Sequence, residues 1–174
     1  MSLTSADTDR PPIERRLENF DGFLERLAKE YGLATLDVVR RLPGETWDIV
    51  PGEAMVEILG DIGDWGKILF ITEGAHVISG VSAVMPAVFE HDGYHHFFSP
   101  DGFGGHIACG ACAHIAFIDR RFQQRRSLSI HFYDDTGEPM FKVFVSRELS
   151  GEMNPGQVER YFALRARLAT ANGS

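Results

Sequence analysis

Apolar residues recur along the chain with two different periods, and the change of period divides it. From Ile13 the apolar positions are Leu17, Phe20, Leu24, Leu27 and Tyr31, steps of four and three that place them on one face of a helix. A single helix over 13–31 is predicted, ended by Gly32. Thr35 is placed to cap a short second helix running to Leu42, which Pro43-Gly44 closes. A third helix is expected from Gly52 to Gly60. Beyond it the period falls to two, with strands predicted at 67–72, 76–81, 94–98, 114–119, 127–133 and 140–145. In the clearest of them Leu128, Ile130 and Phe132 alternate with Ser127, Ser129, His131 and Tyr133, so one face should be apolar and the other polar. Asp134-Asp135-Thr136-Gly137 reads as a turn into an antiparallel neighbour. A last helix over 155–169 presents Val158, Tyr161, Leu164 and Leu168. Short loops between successive strands, without alternating helices, indicate an antiparallel α+β fold: N-terminal helices, a large sheet and a C-terminal helix.

Composition adds limits rather than detail. The 174 residues suit one domain, expected over 13–170 with flexible tails at 1–12 and 171–174. Hydrophobic residues at 44% and charged residues at 24% are those of an ordinary globular protein, and no apolar run approaches the ~20 residues that cross a bilayer. The first twelve residues lack the apolar core of a secretory signal, so cytoplasmic residence is the expectation. A net charge of −8 repels phosphate backbones and anionic lipid, and neither nucleic acid nor membrane is expected as a partner.

Candidate chemistry concentrates in one stretch. Four of the seven histidines, His91, His95, His96 and His106, fall among aromatics and glycines between 91 and 107. Imidazole and phenolate both coordinate transition metals, and aromatic rings offer a flat apolar ligand a surface. Cys109-Gly-Ala-Cys112 holds both cysteines, but zinc wants two further ligands and a redox pair wants a βαβ setting, so both thiols are read as small hydrophobes. Residues 27–42 have the outline of a helix-turn-helix, yet only Lys29, Arg40 and Arg41 supply positive charge. No Gly-x-Ser-x-Gly elbow, phosphate loop or His-Glu-x-x-His occurs.

Motifs in consistent order over about residues 24–168 carry a resemblance. They are Val38-Val-Arg-Arg-Leu-Pro43, Trp65-Gly66, Gly93-Tyr94, Gly105-His106-Ile107, Cys112-Ala-His-Ile-Ala-Phe-Ile-Asp-Arg-Arg-Phe122, Gly137-Glu-Pro-Met-Phe-Lys-Val-Phe-Val145 and Gln157-Val-Glu-Arg-Tyr-Phe-Ala-Leu164. Together they resemble the HutX/ChuX family of cytosolic haem-utilisation carriers. The resemblance implies a large curved antiparallel sheet, as in one half of the two-repeat HemS/ChuS proteins, and a homodimer. It implies haem as bound cargo, with His106 and Tyr94 as axial ligands to iron and cations such as Lys142 and Arg121 for the propionates. The other histidines are read as exposed or internally satisfied. The chain departs from the family where some relatives carry a further histidine, here Glu73 with His76 nearby. It departs again at Phe122-Gln123-Gln124, and after Tyr94, where His95-His96-Phe97 follows. The implied function is intracellular haem binding and transfer after uptake, with an importer or a haem-degrading enzyme as transfer partner. Haem breakdown at the same site and a DNA-binding regulator built on the front helices are the alternatives.

Overall fold

Strand pairing, not helix packing, organises the molecule. The computed structural model describes residues 10–74 and 76–171; of the tails expected to be flexible, residues 1–9 and 172–174 lie outside that range. Six antiparallel strands form the large sheet: β1 (Trp47–Pro51), β2 (Lys67–Glu73), β3 (Ile78–Val84), β7 (His114–Phe122), β8 (Arg125–Tyr133) and β9 (Pro139–Phe144). Their spatial order is β1-β7-β8-β9-β2-β3. A second sheet holds β4 (Val88–His91), β5 (Tyr94–Phe98) and β6 (Gly104–Ala108), in that order. The α+β class read from the sequence is the observed one. β1, β4 and β6 are additions to the predicted strands.

Helices cover the large sheet on both faces. Ile58, Leu59 and Ile62 of α4 (Met55–Ile62) and Tyr161, Leu164 and Leu168 of α5 (Pro155–Ala171) share a core with Phe117, Leu128, Ile130, Phe132 and Phe141. Phe132 and Phe141 stack there with ring centroids 4.2 Å apart, the kind of contact whose loss costs about 3–5 kcal/mol on truncation to Ala. On the other face α1 (Ile13–Leu17), α2 (Leu24–Tyr31) and α3 (Thr35–Val39) pack Leu17, Leu24, Leu27, Leu36, Val38 and Val39 against Ala116, Ile118 and Tyr133.

The front helix is therefore not the single element that its apolar spacing suggests. Residues 18–23 break it, because the carbonyls of 20–22 are bonded to the sheet instead. The Arg120 guanidinium donates to the carbonyls of Phe20 (3.4 Å) and Gly22 (2.6 Å), and the amides of Gln123 and Gln124 donate to the Asp21 carbonyl and carboxylate. The apolar phase survives across the break, so both short helices bury the same stripe. Gly32 does end α2, in the left-handed conformation with φ 65°. Thr35 is not a cap: it opens α3 and its hydroxyl donates to Glu138 Oε2 at 2.8 Å, and the helix stops at Val39 rather than Leu42. The third helix runs two residues further than expected, to Ile62, after a 3-10 turn at Gly52–Ala54.

β8 alternates as predicted, but its polar face is not wet. Ser129, His131 and Tyr133 are buried under the N-terminal helices and hydrogen-bond in a row: Ser129 Oγ to His131 Nε2 at 3.0 Å, and His131 Nδ1 to the Tyr133 hydroxyl at 3.1 Å. Each polar atom thus has the partner that burial demands. Burial holds the His131 imidazole well below its ordinary range, and the nearby Lys142 and Arg120 charges act in the same direction.

This depressed histidine makes stability pH-dependent with a definite sign. The unfolded chain takes up a proton near the ordinary histidine value of about 6.5, whereas the folded chain does not, so stability is complete above that value and lost below it. The unfolding free energy measured by urea titration should fall between pH 7 and pH 5 by up to about 1.4 kcal/mol per pH unit from this group, and His131→Gln should remove most of that slope. An unchanged slope in the variant would assign the pH dependence to other groups.

Candidate functional site

The small sheet is packed against the core on one side only. Phe97 of β5 is buried beside Phe70 and Phe103, at ring separations of 6.1 Å and 5.5 Å, and Ile107 of β6 joins the same core. Gly104 and Gly105 make this possible. A Cβ on Gly105 would lie 2.9 Å from the Phe97 ring, and one on Gly104 would lie 2.5 Å from the Phe98 ring. The glycine-rich part of the histidine stretch is thus a strand whose missing side chains give two phenyl rings their space.

Because side chains alternate along β5, the other face of this sheet collects everything of the opposite parity. The register pairs Phe89 with His96 and His96 with His106, and pairs His91 with Tyr94. Phe89, His91, Tyr94, His96, Phe98 and His106 therefore share one outward face. Phe89 and Phe98 are each 54% exposed and Tyr94 is 47% exposed. The Phe89 ring stacks on His96 with centroids 5.3 Å apart, and Phe98 meets the His106 ring edge-on at 5.3 Å. Tyr94 lies 6.5 Å from His106, ring to ring.

Hydrogen bonds fix the protons on the two paired imidazoles. His96 Nε2 is 3.0 Å from the His91 carbonyl oxygen, which only accepts, so Nε2 carries a hydrogen. A neutral His96 then has a bare Nδ1. That atom lies 2.7 Å from His106 Nδ1, so His106 must donate there and its own Nε2 keeps an unshared lone pair. The arrangement is the one found behind metal-bound histidines: one ring nitrogen donates to a fixed partner and the other points its lone pair at the metal.

The outward face therefore joins a preset nitrogen donor, a phenol and two exposed phenyl rings on one rigid surface. Comparison with known proteins gives this face a context. The family model described as haem utilisation ChuX/HutX matches residues 48–164, which includes all of the small sheet. The chain belongs to the ChuX/HutX family. It is 29% identical over 140 residues to the intracellular haem transport protein HutX of Vibrio cholerae, covering 80% of this chain and 72% of that one. The structure of the haem-binding protein ChuX superposes with a TM-score of 0.83 at 31% identity, over 90% of this chain and 99% of that one. The Escherichia coli haem oxygenase ChuS matches in fold alone: TM-score 0.74 at 14% identity, over 94% of this chain and 50% of that one.

Within this ChuX/HutX fold, the four residues singled out from the sequence do not come together. Tyr94 and His106 share the outward face, but Lys142 points to the opposite side of the large sheet. Its strand neighbours Phe141 and Val143 face the core that Phe97 enters, while its own ammonium is buried between Glu25 and Glu73, the latter at 3.0 Å. Glu73, at the place where some relatives were expected to carry a histidine, is thus a counter-ion. These groups line a cavity of about 280 Å³ between α2 and the sheet, with Phe23, Ile78 and Phe144. Arg121 sits at the exposed end of β7, opposite Arg126.

The two cysteines also separate. Cys112 is buried, with its thiol donating to the His114 carbonyl at 3.6 Å, and burial pushes that thiol up to about 11. Cys109 is exposed, and its thiol is raised by desolvation and then by the Glu90 carboxylate. The front helices depart from the helix-turn-helix outline read from the sequence. α3 has five residues, Arg40 is paired with Asp37 at 3.1 Å and Arg41 with Glu14 at 3.5 Å, and the helix's apolar side chains are spent on the sheet.

His96 was passed over in the sequence, where it stood as one of several exposed histidines. Its part is visible only from the register that sets it against His106. Nitrogen NMR of the imidazoles checks this: at neutral pH His106 should be the Nδ1–H tautomer and His96 the Nε2–H tautomer. His96→Ala should shift His106 toward a tautomer mixture. A wild-type His106 already protonated at Nε2 would overturn the assignment.

Proposed function

We propose that this protein binds haem on the outward face of the small sheet and carries it within the cell. His106 Nε2 is the nitrogen donor to iron, with the Tyr94 phenol as the second candidate on the same face. The carrying observation is the chain of hydrogen bonds from the His91 carbonyl through His96 to His106, which leaves one imidazole lone pair directed outward. Membership of the ChuX/HutX family supplies the cargo, and the exposed rings of Phe89 and Phe98 supply apolar surface for a flat porphyrin. A carrier needs a donor strong enough to hold iron and a site open enough to release it, which an exposed strand surface provides.

The carrier is read as a cytoplasmic homodimer that receives haem from an importer and passes it to a haem-degrading enzyme or a haem protein. Ile78 at 57% and Val84 at 45% are exposed apolar residues on one face of the edge strand β3, and a second copy of the chain covering them accounts for that exposure. Lys142 and Glu73 act in the interior, where their mutual pairing makes each electrically acceptable.

Hemin titration tests the site directly. The wild-type protein should give a Soret shift that saturates at one equivalent. His106→Ala should weaken binding tenfold or more and change the ligand-field spectrum. His106→Ala combined with Tyr94→Phe should abolish the specific shift. An unchanged spectrum in the double variant would remove both residues from the iron.

A further inference from the structure

The inner side of β5 carries a second set of donors. We propose that Glu90, His95 and Cys109 form a binding site for a divalent transition metal of the zinc class, separate from the outward face. Their carboxylate oxygen, imidazole nitrogen and Sγ atoms all lie within 4.8 Å of one another. Tetrahedral bonds of ~2.0–2.3 Å put donor atoms roughly 3.3–3.8 Å apart, so closure about a metal needs rotamer adjustments on the order of an ångström.

The backbone brings the three together through register. Glu90 of β4 is paired with His95 of β5, and His95 with Ile107 of β6. Cys109 is two residues beyond Ile107 and so has the same parity; its amide donates to the Gly93 carbonyl at 2.9 Å, which extends the β5–β6 pairing past the end of β6. Cys109 is thus a diagonal neighbour of His95, within side-chain reach. The residue directly opposite Cys109 is Gly93, which has no side chain to occupy the space. Among the described residues, none of the three side chains makes another hydrogen bond or ion pair, in contrast to His96 and His106, which bind each other.

The donor set selects the ion. A thiolate, an imidazole and a carboxylate are one soft, one borderline and one hard ligand, a mixture suited to zinc or cobalt(II) and poorly suited to magnesium or calcium. Three protein ligands leave a fourth position for water. This site does not use Cys112, so the Cys-x-x-Cys spacing is incidental to it: Cys109 finds its partners across the sheet rather than along the chain. It is also independent of the haem proposal, since alternation places His95 on the face opposite Tyr94 and His96.

Cobalt(II) added to the full-length protein without haem is the probe. One equivalent should bind with the intense visible bands of a four-coordinate ion and a thiolate-to-cobalt charge-transfer band in the near ultraviolet. Cys109→Ser should lose the charge-transfer band, and His95→Ala and Glu90→Gln should each weaken zinc binding at least tenfold in competition with a chromophoric chelator. His96→Ala/His106→Ala should retain the site, and Cys109→Ser should still take up hemin, so that failure of this site and failure of the haem site are distinguishable. A cobalt spectrum unaltered by Cys109→Ser, or binding lost in His96→Ala/His106→Ala but kept in His95→Ala, would overturn the proposal.

Discussion

The anchoring of Phe97 is the constraint on which the functional surface depends. With that ring held beside Phe70 and Phe103, the parity of β5 is fixed, and every other side chain on the strand follows. A slip of one residue would turn Tyr94 and His96 inward and His95 outward. The two glycines of β6 belong to the same device, because they clear the volume that the aromatic rings of β5 fill. Five residues of strand thereby present different donor chemistry on their two sides, with only the thickness of a backbone between them.

The large sheet solves a different problem. Both of its faces are covered over β7, β8 and β9, so polar residues of the alternating pattern there are taken out of water and must satisfy one another. Ser129, His131 and Tyr133 do so in a line along β8, and Lys142 does so with carboxylates from α2 and β2. Such pairs stabilise little in net terms, since desolvation offsets much of the attraction, but losing one partner strands the other. The N-terminal helices are consequently tied to the sheet by specific polar contacts as well as by apolar packing, and Arg120 reaches across to hold the break between α1 and α2.

How far the sequence reveals this depends on how local each signal is. The alternation of residues 127–133 and the turn after it are properties of adjacent residues, and both are legible. The fate of the polar half of that alternation is not, because it depends on helices that precede it by a hundred residues. β4 is only four residues long and β6 contains two glycines, so neither is long or regular enough to show a strand period of its own; their place is set by pairing with β5. The continuous helix expected over 13–31 fails for a similar reason, since carbonyls that would bond along the helix accept from Arg120 instead. At the site, Tyr94 and His106 are legible as donors through family-like motifs. Lys142 as a free cation is not what the structure holds, because its charge is already matched by Glu25 and Glu73. His96 and the grouping of Glu90, His95 and Cys109 are relations between strands, and a linear reading does not contain them.

The relay behind His106 ends on a main-chain carbonyl rather than on a carboxylate. A carboxylate in that place would lend negative charge to the imidazole, raise its basicity and tighten its grip on a metal. A peptide oxygen orients the ring through a neutral intermediary and adds no net charge. It also cannot be removed by any side-chain substitution at position 91. The aim of the donor is therefore set by the backbone itself, with no charged side chain placed behind it, a combination of fixed direction and easy release.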